Sequence, residues 1–278
     1  MSLLEQIRKH ARPIARWGCV AIGTVYLLVG SLALVALSGR FTGHADEQRI
    51  IRVVLEWPGG FLIIWAIVVG LAGYALWRIV EVFADPYEYG TAATGILKRL
   101  GVGLTGLGYG LVAYSAGAIA LGPRGTSESS EQQQQSLVAD VLAWPGGAWW
   151  VGAAGVIVIG FGGVQYWMIA KRSYAVEIDL KRRSRAVRVV IHVLAWAGYA
   201  ARGIILGVLG YFLVRSAVTH DPTAVGDTDT AFDFIGGGVA GDTAFFFVAL
   251  ATAGYGIFMY LSAAFYRFER DAEPNGGP

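Results

Sequence analysis

Residues 17–39 read WGCVAIGTVYLLVGSLALVALSG, and no acidic or basic side chain interrupts this apolar run. A helix rises about 1.5 Å per residue, so roughly 20 apolar residues cross the hydrocarbon core of a bilayer. Four more charge-free stretches follow, at residues 57–77, 100–123, 141–170 and 243–266. A sixth apolar stretch, 189–214, contains one charged residue, Arg202. The sequence therefore predicts an all-α, polytopic membrane protein with six transmembrane helices.

The composition fits a membrane protein and excludes several other classes. Charged residues make up 15% of the 278 residues, against roughly 25% in an ordinary soluble domain. Hydrophobic residues reach 55%, and 39 glycines add to them, so too little polar surface remains to cover a water-soluble globule. The single cysteine, Cys19, excludes a disulfide scaffold. The net charge of +2 argues against nucleic acid as a partner.

Lys and Arg are unevenly distributed between the two ends of the spans. Most of the 22 flank the chain termini or the connections between spans two and three and between spans four and five, where the basic cluster 181–188 lies. Short flanks rich in Lys and Arg stay in the cytoplasm. We therefore expect both the N- and the C-terminus to be cytoplasmic. We expect no cleaved signal peptide, because the first apolar run is long and recurs later in the chain.

A pattern of small residues occurs three times. The first, third and fifth spans share one spacing, in Gly18, Gly23, Tyr26, Gly30; in Gly101, Gly106, Tyr109, Ala113; and in Gly198, Gly203, Leu206, Gly210. Small residues let helix backbones approach closely, and this packing replaces the hydrophobic drive that helices lack in lipid. The sequence predicts three tandem two-helix repeats, approximately 11–90, 91–176 and 186–270, in a single membrane domain 1–278.

A second match precedes the even-numbered spans. Residues 50–60 align with residues 137–147, and both end in Trp-Pro-Gly-Gly. The apolar pairs ahead of this motif predict a short amphipathic helix on the outer interface, with Trp57 and Trp144 as anchors at headgroup depth. Pro58 and Pro145 are expected to start the next helix, where the missing N–H costs nothing. The polar run 126–135, with four consecutive glutamines, is expected to be a mobile loop tip.

Residues 198–203, GYAARG, are the most specific part of the repeat. With them, residues 11–270 resemble a family of bacterial integral membrane proteins grouped as domain of unknown function 1206, in which a two-helix unit occurs three times. The resemblance implies the fold and a bacterial plasma-membrane location, and it implies no activity. Three units of identical orientation predict a pseudo-threefold bundle about an axis along the membrane normal.

Several motifs that suggest chemistry are better explained by helix packing or solvation. Residues 101–106 fit the glycine pattern of a dinucleotide site, but they open an apolar span that lacks the acidic partner. Ser115 lies in a sequence like that of a serine nucleophile, yet no histidine lies at a depth where it could act as base. The four histidines show no zinc spacing, and the acidic loop 221–233 shows no EF-hand spacing. We expect no enzyme activity, no metal and no cofactor.

Arg202 is the clearest functional candidate, because an ionisable residue inside a span indicates a functional site by default. The repeat alignment places it about one turn, roughly 6 Å, inside the cytoplasmic boundary. There it either snorkels to the interface or forms a buried ion pair or anion contact lining a cytoplasmic vestibule. Glu81 is the expected partner, with Arg78 in the same leaflet. Gln165 is the only clearly polar side chain at depth.

Two functions fit these features. A non-enzymatic structural or accessory protein would bind membrane lipids, or another membrane protein, through its glycine- and tryptophan-rich faces. A channel or transporter would use a pathway on the pseudo-threefold axis, although ionisable residues are scarce near the midplane, where transport sites are usually built. We expect the accessory role. Lateral grooves beside a closed axis would favour it, and a wet cavity reaching Gln165 or Arg202 would favour transport.

Overall fold

Long helices make up most of the described chain, and no strand occurs in that part of it. The computed structural model describes residues 3–37, 54–56, 58–85, 90–121, 130–172, 174, 184–238 and 241–265. Its helices are α1 (Leu3–Leu37), α2 (Gly60–Ala84), α3 (Ala93–Leu121), α4 (Ser130–Leu142), α5 (Gly147–Lys171), α6 (Arg185–Thr219), α7 (Thr228–Gly236) and α8 (Gly241–Phe265). A 3-10 turn, Pro222–Ala224, separates α6 from α7.

Six of these helices are long and apolar enough to cross a membrane. Their apolar spans are Arg16–Val35, Gly60–Phe83, Lys98–Leu121, Gly147–Lys171, Arg185–Thr219 and Gly241–Phe265. The stretch that contains Arg202 belongs to α6, which runs unbroken from Arg185 to Thr219. The predicted all-α class with six membrane-spanning helices is confirmed.

The chain divides into two compact units, each assembled from separate segments. The first unit comprises Met1–Val25, Ile51–Pro123 and Met259–Pro278, and the second comprises Tyr26–Ile50 and Arg124–Phe258. The pseudo-threefold arrangement of the three repeats stays a prediction.

The Trp-Pro-Gly-Gly motif forms the same turn before α2 and before α5. Its first glycine, Gly59 or Gly146, has a positive φ of 80° or 74°, a conformation that favours glycine because it lacks a Cβ. A Cβ on the second glycine would overlap the carbonyl oxygen of Val54 in the first copy and of Val141 in the second. The helices therefore begin at the second glycine, and the prediction that each proline starts its helix is wrong.

Short helices occur in the connection that follows α3 and in the one that follows α6. The helix α4 begins at Ser130, so the prediction of a loop tip is wrong for residues 130–135, and the rest of that stretch lies outside the described residues. Gln135 Nε2 donates to Glu131 Oε1 at 2.9 Å and to the backbone oxygen of Val225 at 3.4 Å. These two contacts attach the glutamine run to its own helix and to the segment before α7.

The repeated glycines mark close helix contacts inside each unit. In the first unit a Cβ on Gly106 would lie 2.7 Å from Arg78 Cβ, so α3 packs tightly on α2. In the second unit a Cβ on Gly210 would lie 2.7 Å from the backbone oxygen of Gly155, and α6 packs on α5. A Cβ on Gly30 would lie 2.7 Å from the backbone oxygen of Ala249. Gly23 is also buried.

Candidate functional site

Arg202 is half-buried on α6 and is held by two tyrosines in the second unit. Its Nη1 donates to the Tyr255 hydroxyl at 2.7 Å, and its guanidinium carbon lies 4.9 Å from the centroid of that ring. The centroid of the Tyr26 ring lies 5.2 Å from the same guanidinium carbon. A guanidinium over an aromatic face gains about 0.5 to 2 kcal/mol, more when water is excluded. Arg202 is therefore fixed by aromatic side chains of α1 and α8.

Glu81, the expected partner of Arg202, forms an ion pair on its own helix in the first unit. Arg78 Nη1 lies 2.7 Å from Glu81 Oε2, and the Glu81 side chain is 2% exposed. Arg78 Nε also donates to the Tyr74 hydroxyl at 3.0 Å, and the Arg78 guanidinium carbon lies 4.8 Å from the centroid of that ring. A buried carboxylate needs such a pair, because its desolvation is costly. The pairing of Glu81 with Arg202 stays a prediction.

The two arginine sites share a tyrosine at one position of the repeat. Tyr74 and Tyr255 occupy the same position of the repeat, each directly after a glycine near the end of the second helix. Tyr74 meets Tyr109 edge to face at 5.4 Å and 82°, and Tyr255 meets Tyr26 at 4.9 Å and 80°. In the second copy this position is Val164, and no arginine stands where Arg78 or Arg202 would align. The two tyrosines thus hold arginines from different repeat positions, because Arg78 lies on the same helix as Tyr74 and Arg202 lies on the first helix of its repeat.

The glycine that opens each odd span accounts for the position of this tyrosine. A Cβ on Gly18 would lie 2.5 Å from Tyr74 Cβ, and a Cβ on Gly198 would lie 2.5 Å from Tyr255 Cβ. Neither side chain can relieve such a contact by rotating, because the atom that is met is itself a Cβ. The equivalent Gly101 has no described atom within 4 Å of its ideal Cβ. In the second copy Val164 stands in place of the tyrosine.

Gln165 is 8% exposed, and its Oε1 has no hydrogen-bond partner among the described residues. It follows Gly155 and Gly162 on the buried face of α5. Gly162 opposes the backbone oxygen of Gly203 on the antiparallel α6, so the helix register places Gln165, one turn further on, level with Arg202. A buried acceptor without a donor costs about 1 to 3 kcal/mol.

An apolar groove of about 550 Å³ lies between α5 and α6 in the second unit. Glycines form its floor, aromatic rings form its edges, and aliphatic side chains complete it: Ile159, Gly162, Gly163, Tyr166, Gly203, Ile204, Gly207, Val208, Tyr211 and Phe234. Its aromatic edges are exposed on the surface of the unit. The glycine pairs are visible in the sequence but the groove is not, because the spacing of glycines does not show how far apart the flanking rings lie.

The predicted interface anchors are only partly described. Trp144 is 61% exposed, Pro145 and Pro58 are exposed in their turns, and Trp57 lies outside the described residues. An exposed indole at the start of a membrane-spanning helix is compatible with headgroup depth. Their role as anchors stays a prediction.

The acidic loop uses its carboxylates as helix caps. Asp227 Oδ1 accepts hydrogen bonds from the backbone N–H groups of Asp229 and Thr230, both at 3.1 Å, at the start of α7. Asp221 Oδ1 accepts from the Thr223 hydroxyl at 2.7 Å and from its N–H at 2.9 Å. These hydrogen bonds lower the pKa of Asp221, with the hydroxyl as the largest cause and Arg215 as a lesser one. Among the described residues, no group of three or more His, Cys, Asp or Glu could hold a metal ion.

Comparisons with known proteins find the same three-copy repeat that the sequence predicts. The family described as "Domain of Unknown Function (DUF1206)" matches the chain three times, at residues 17–85, 100–171 and 197–266. A relative from Bacillus subtilis (strain 168), "Uncharacterized protein YxxB", is 30% identical over 224 residues, which cover 79% of each chain. No solved structure matches the chain. With three copies of the two-helix unit and six apolar helices, the chain belongs to the DUF1206 family of membrane proteins.

Proposed function

We propose that this protein is a non-enzymatic accessory protein of the bacterial plasma membrane that binds lipid in the groove between α5 and α6. The observation that carries the proposal is the groove itself. Its volume of about 550 Å³ falls within the roughly 300–1,000 Å³ of small-molecule sites. Its apolar lining and glycine floor suit an acyl chain, which can lie closer to the two backbones than to any helix face covered by larger side chains.

The physical source of binding in a membrane differs from that in water. An acyl chain leaves hydrocarbon when it enters the groove, so no hydrophobic gain is expected. What remains is van der Waals contact with a fixed surface, which is small for each atom pair and large in sum. A tail alone therefore binds with modest selectivity, and the bound lipid exchanges with the bilayer.

Filling the groove tests the proposal. Ideal Cβ atoms at Gly207 and Gly160 have no described atom within 4 Å, so a leucine can enter at either position without a clash at Cβ. Gly207 lines the groove and Gly160 does not. Native mass spectrometry of the protein released from phospholipid nanodiscs should show fewer retained lipids for Gly207→Leu than for Gly160→Leu. Equal retention by the two variants would refute lipid binding in the groove.

Another membrane protein is the alternative occupant of the same face. Copurification in mild detergent, read by mass spectrometry, separates the two cases. A stoichiometric protein that is lost in Gly207→Leu and kept in Gly160→Leu would assign the groove to a transmembrane helix of a partner.

The buried acceptor of Gln165 supports a second function, a channel or transporter. By helix register Gln165 lies level with Arg202, on the flank of the α5–α6 contact away from the groove, and polar side chains inside membrane spans often mark a solute pathway. The variant Gln165→Leu tests whether Gln165 belongs to a solute pathway. If the side chain is only a packing element, the variant should be as stable as the parent or more so, because an unsatisfied acceptor is removed. A change in the passage of ions or small solutes through proteoliposomes would support the pathway instead.

The orientation with both termini in the cytoplasm rests on the distribution of Lys and Arg, including Lys171, Arg172, Arg185 and Arg188 around the connection between α5 and α6. Alkaline phosphatase, which is active only outside the cytoplasm, provides the test. A fusion after Arg185 should be inactive and a fusion after Thr219 should be active. The reverse result would invert the proposed topology.

A further inference from the structure

One row of residues on α6 continues from the groove toward the end of the span. Gly203, Gly207 and Tyr211 line the groove, and Arg215 is the next residue at the same spacing. Residues four apart lie above one another on one helix face. Arg215 is exposed, so its side chain lies on the surface of the unit directly beyond the groove.

The position of Arg215 in its span predicts the depth of a lipid headgroup. It lies in the last turn of the span that ends at Thr219, about one turn, roughly 6 Å, beyond Tyr211. Basic side chains near the ends of membrane-spanning helices reach the headgroup region. The Cα–Cβ bond of a helical residue is tilted toward the N-terminus, so the side chain of Arg215 starts in the direction of Tyr211 and the groove.

The carboxylate near Arg215 is already engaged by another residue. Asp221 Oδ1 accepts two hydrogen bonds from Thr223, at 2.7 and 2.9 Å. Arg215 forms no ion pair within the described part of the chain. A guanidinium at this depth, beside an apolar groove, has the fork of donors that matches phosphate oxygens.

We propose that the groove and Arg215 together bind one glycerophospholipid, with its phosphate on the Arg215 guanidinium and one acyl chain between α5 and α6. This inference rests on the proposed lipid-binding function and adds the class of lipid and the leaflet. Under the proposed orientation, the lipid belongs to the outer leaflet. The charge-assisted contact supplies the selectivity that a tail in hydrocarbon lacks.

The experiment compares two probes with identical tails in the full-length protein. Phosphatidylglycerol carries the phosphate and the matching diacylglycerol does not, and binding of each is measured by native mass spectrometry in mild detergent. A hydrogen bond to a charged group contributes about 1.5 kcal/mol or more, which is about tenfold in affinity. Arg215→Gln should therefore weaken phosphatidylglycerol about tenfold and leave diacylglycerol unchanged.

Two variants make the outcome specific. Arg185→Gln removes an exposed arginine at the opposite end of the same helix, and it should leave binding of both probes unchanged. Gly207→Leu should weaken both probes, because it fills the part of the site that they share. Arg215→Gln is expected to fold normally, since the side chain is exposed, and a thermal unfolding curve checks this.

Different results would refute the phosphate contact, the combined site and the proposed lipid-binding function. If Gly207→Leu weakens both probes while Arg215→Gln changes neither, lipid binding stands and the phosphate contact is refuted. If Arg215→Gln weakens phosphatidylglycerol while Gly207→Leu changes nothing, the arginine attracts anionic lipid without the groove, and the combined site is refuted. If neither variant changes binding, both the site and the proposed function are refuted.

Discussion

Gly198 and Tyr255 lie so close together that a single added methyl group would not fit between them. A Cβ on Gly198 would be 2.5 Å from Tyr255 Cβ, and the same tyrosine hydroxyl accepts the hydrogen bond from Arg202. The helix contact and the arginine contact therefore depend on one residue. An opening of the α6–α8 contact would move the acceptor away from the guanidinium.

Gly198→Ala is expected to lower the free energy of unfolding by about 1 to 3 kcal/mol, the usual cost of overpacking a tight contact. Gly101→Ala is the matched control, because it changes the same repeat position where no described atom lies within 4 Å of the ideal Cβ. SDS titration in mixed micelles measures both values. Equal destabilisation by the two variants would show that the glycine–tyrosine contact is not the reason for the glycine.

The turn before α5 predicts how much stability is lost when its two glycines, and a control glycine inside α5, are each replaced by alanine. Gly147→Ala should be the most damaging, since its Cβ would overlap the Val141 carbonyl oxygen. Gly146→Ala should cost about 1 to 2 kcal/mol, because its φ of 74° is left-handed. Gly160→Ala should be neutral or slightly stabilising, since its site is open and alanine favours helix. Thermal unfolding of the three variants in one detergent ranks them, and any other order contradicts the proposed geometry.

Much of this fold follows from the sequence, because a bilayer admits few solutions. Backbone groups in lipid must be satisfied within the segment, so long apolar runs become helices. The repeat spacing identified Gly18 and Gly198 without any structure. It could not identify the rings on Arg202, since Tyr26 and Tyr255 belong to different copies and the rotation of each helix is not visible in a spacing. The start of α4 was missed because a polar run of glutamines also forms helix well.

The Tyr255 hydroxyl should contribute to stability separately from its ring. Tyr255→Phe keeps the ring over Arg202 and removes the acceptor, which should cost about 1.5 to 3 kcal/mol for a hydrogen bond from a charged group. Tyr255→Leu should cost more, because the cation–π contact is lost as well. Tyr114→Phe, at a ring that is largely exposed, is the control and should be neutral. SDS titration provides the comparison, and a neutral Tyr255→Phe would show that the hydroxyl does not hold Arg202.

The partner of Glu81 can be assigned by double-mutant cycles, since the ion pair with Arg78 and the expected pairing with Arg202 make different predictions. Arg78→Gln leaves a buried carboxylate without its 2.7 Å partner and should cost about 3 to 5 kcal/mol. Glu81→Gln in the same chain should recover much of that loss, giving a coupling energy of at least about 1 kcal/mol. The cycle of Arg202→Gln with Glu81→Gln then measures the second pairing. Additive effects there, within about 0.5 kcal/mol, would assign Glu81 to Arg78 alone and leave Arg202 to its tyrosines. Strong coupling in that cycle, with little in the first, would show instead that Glu81 pairs with Arg202.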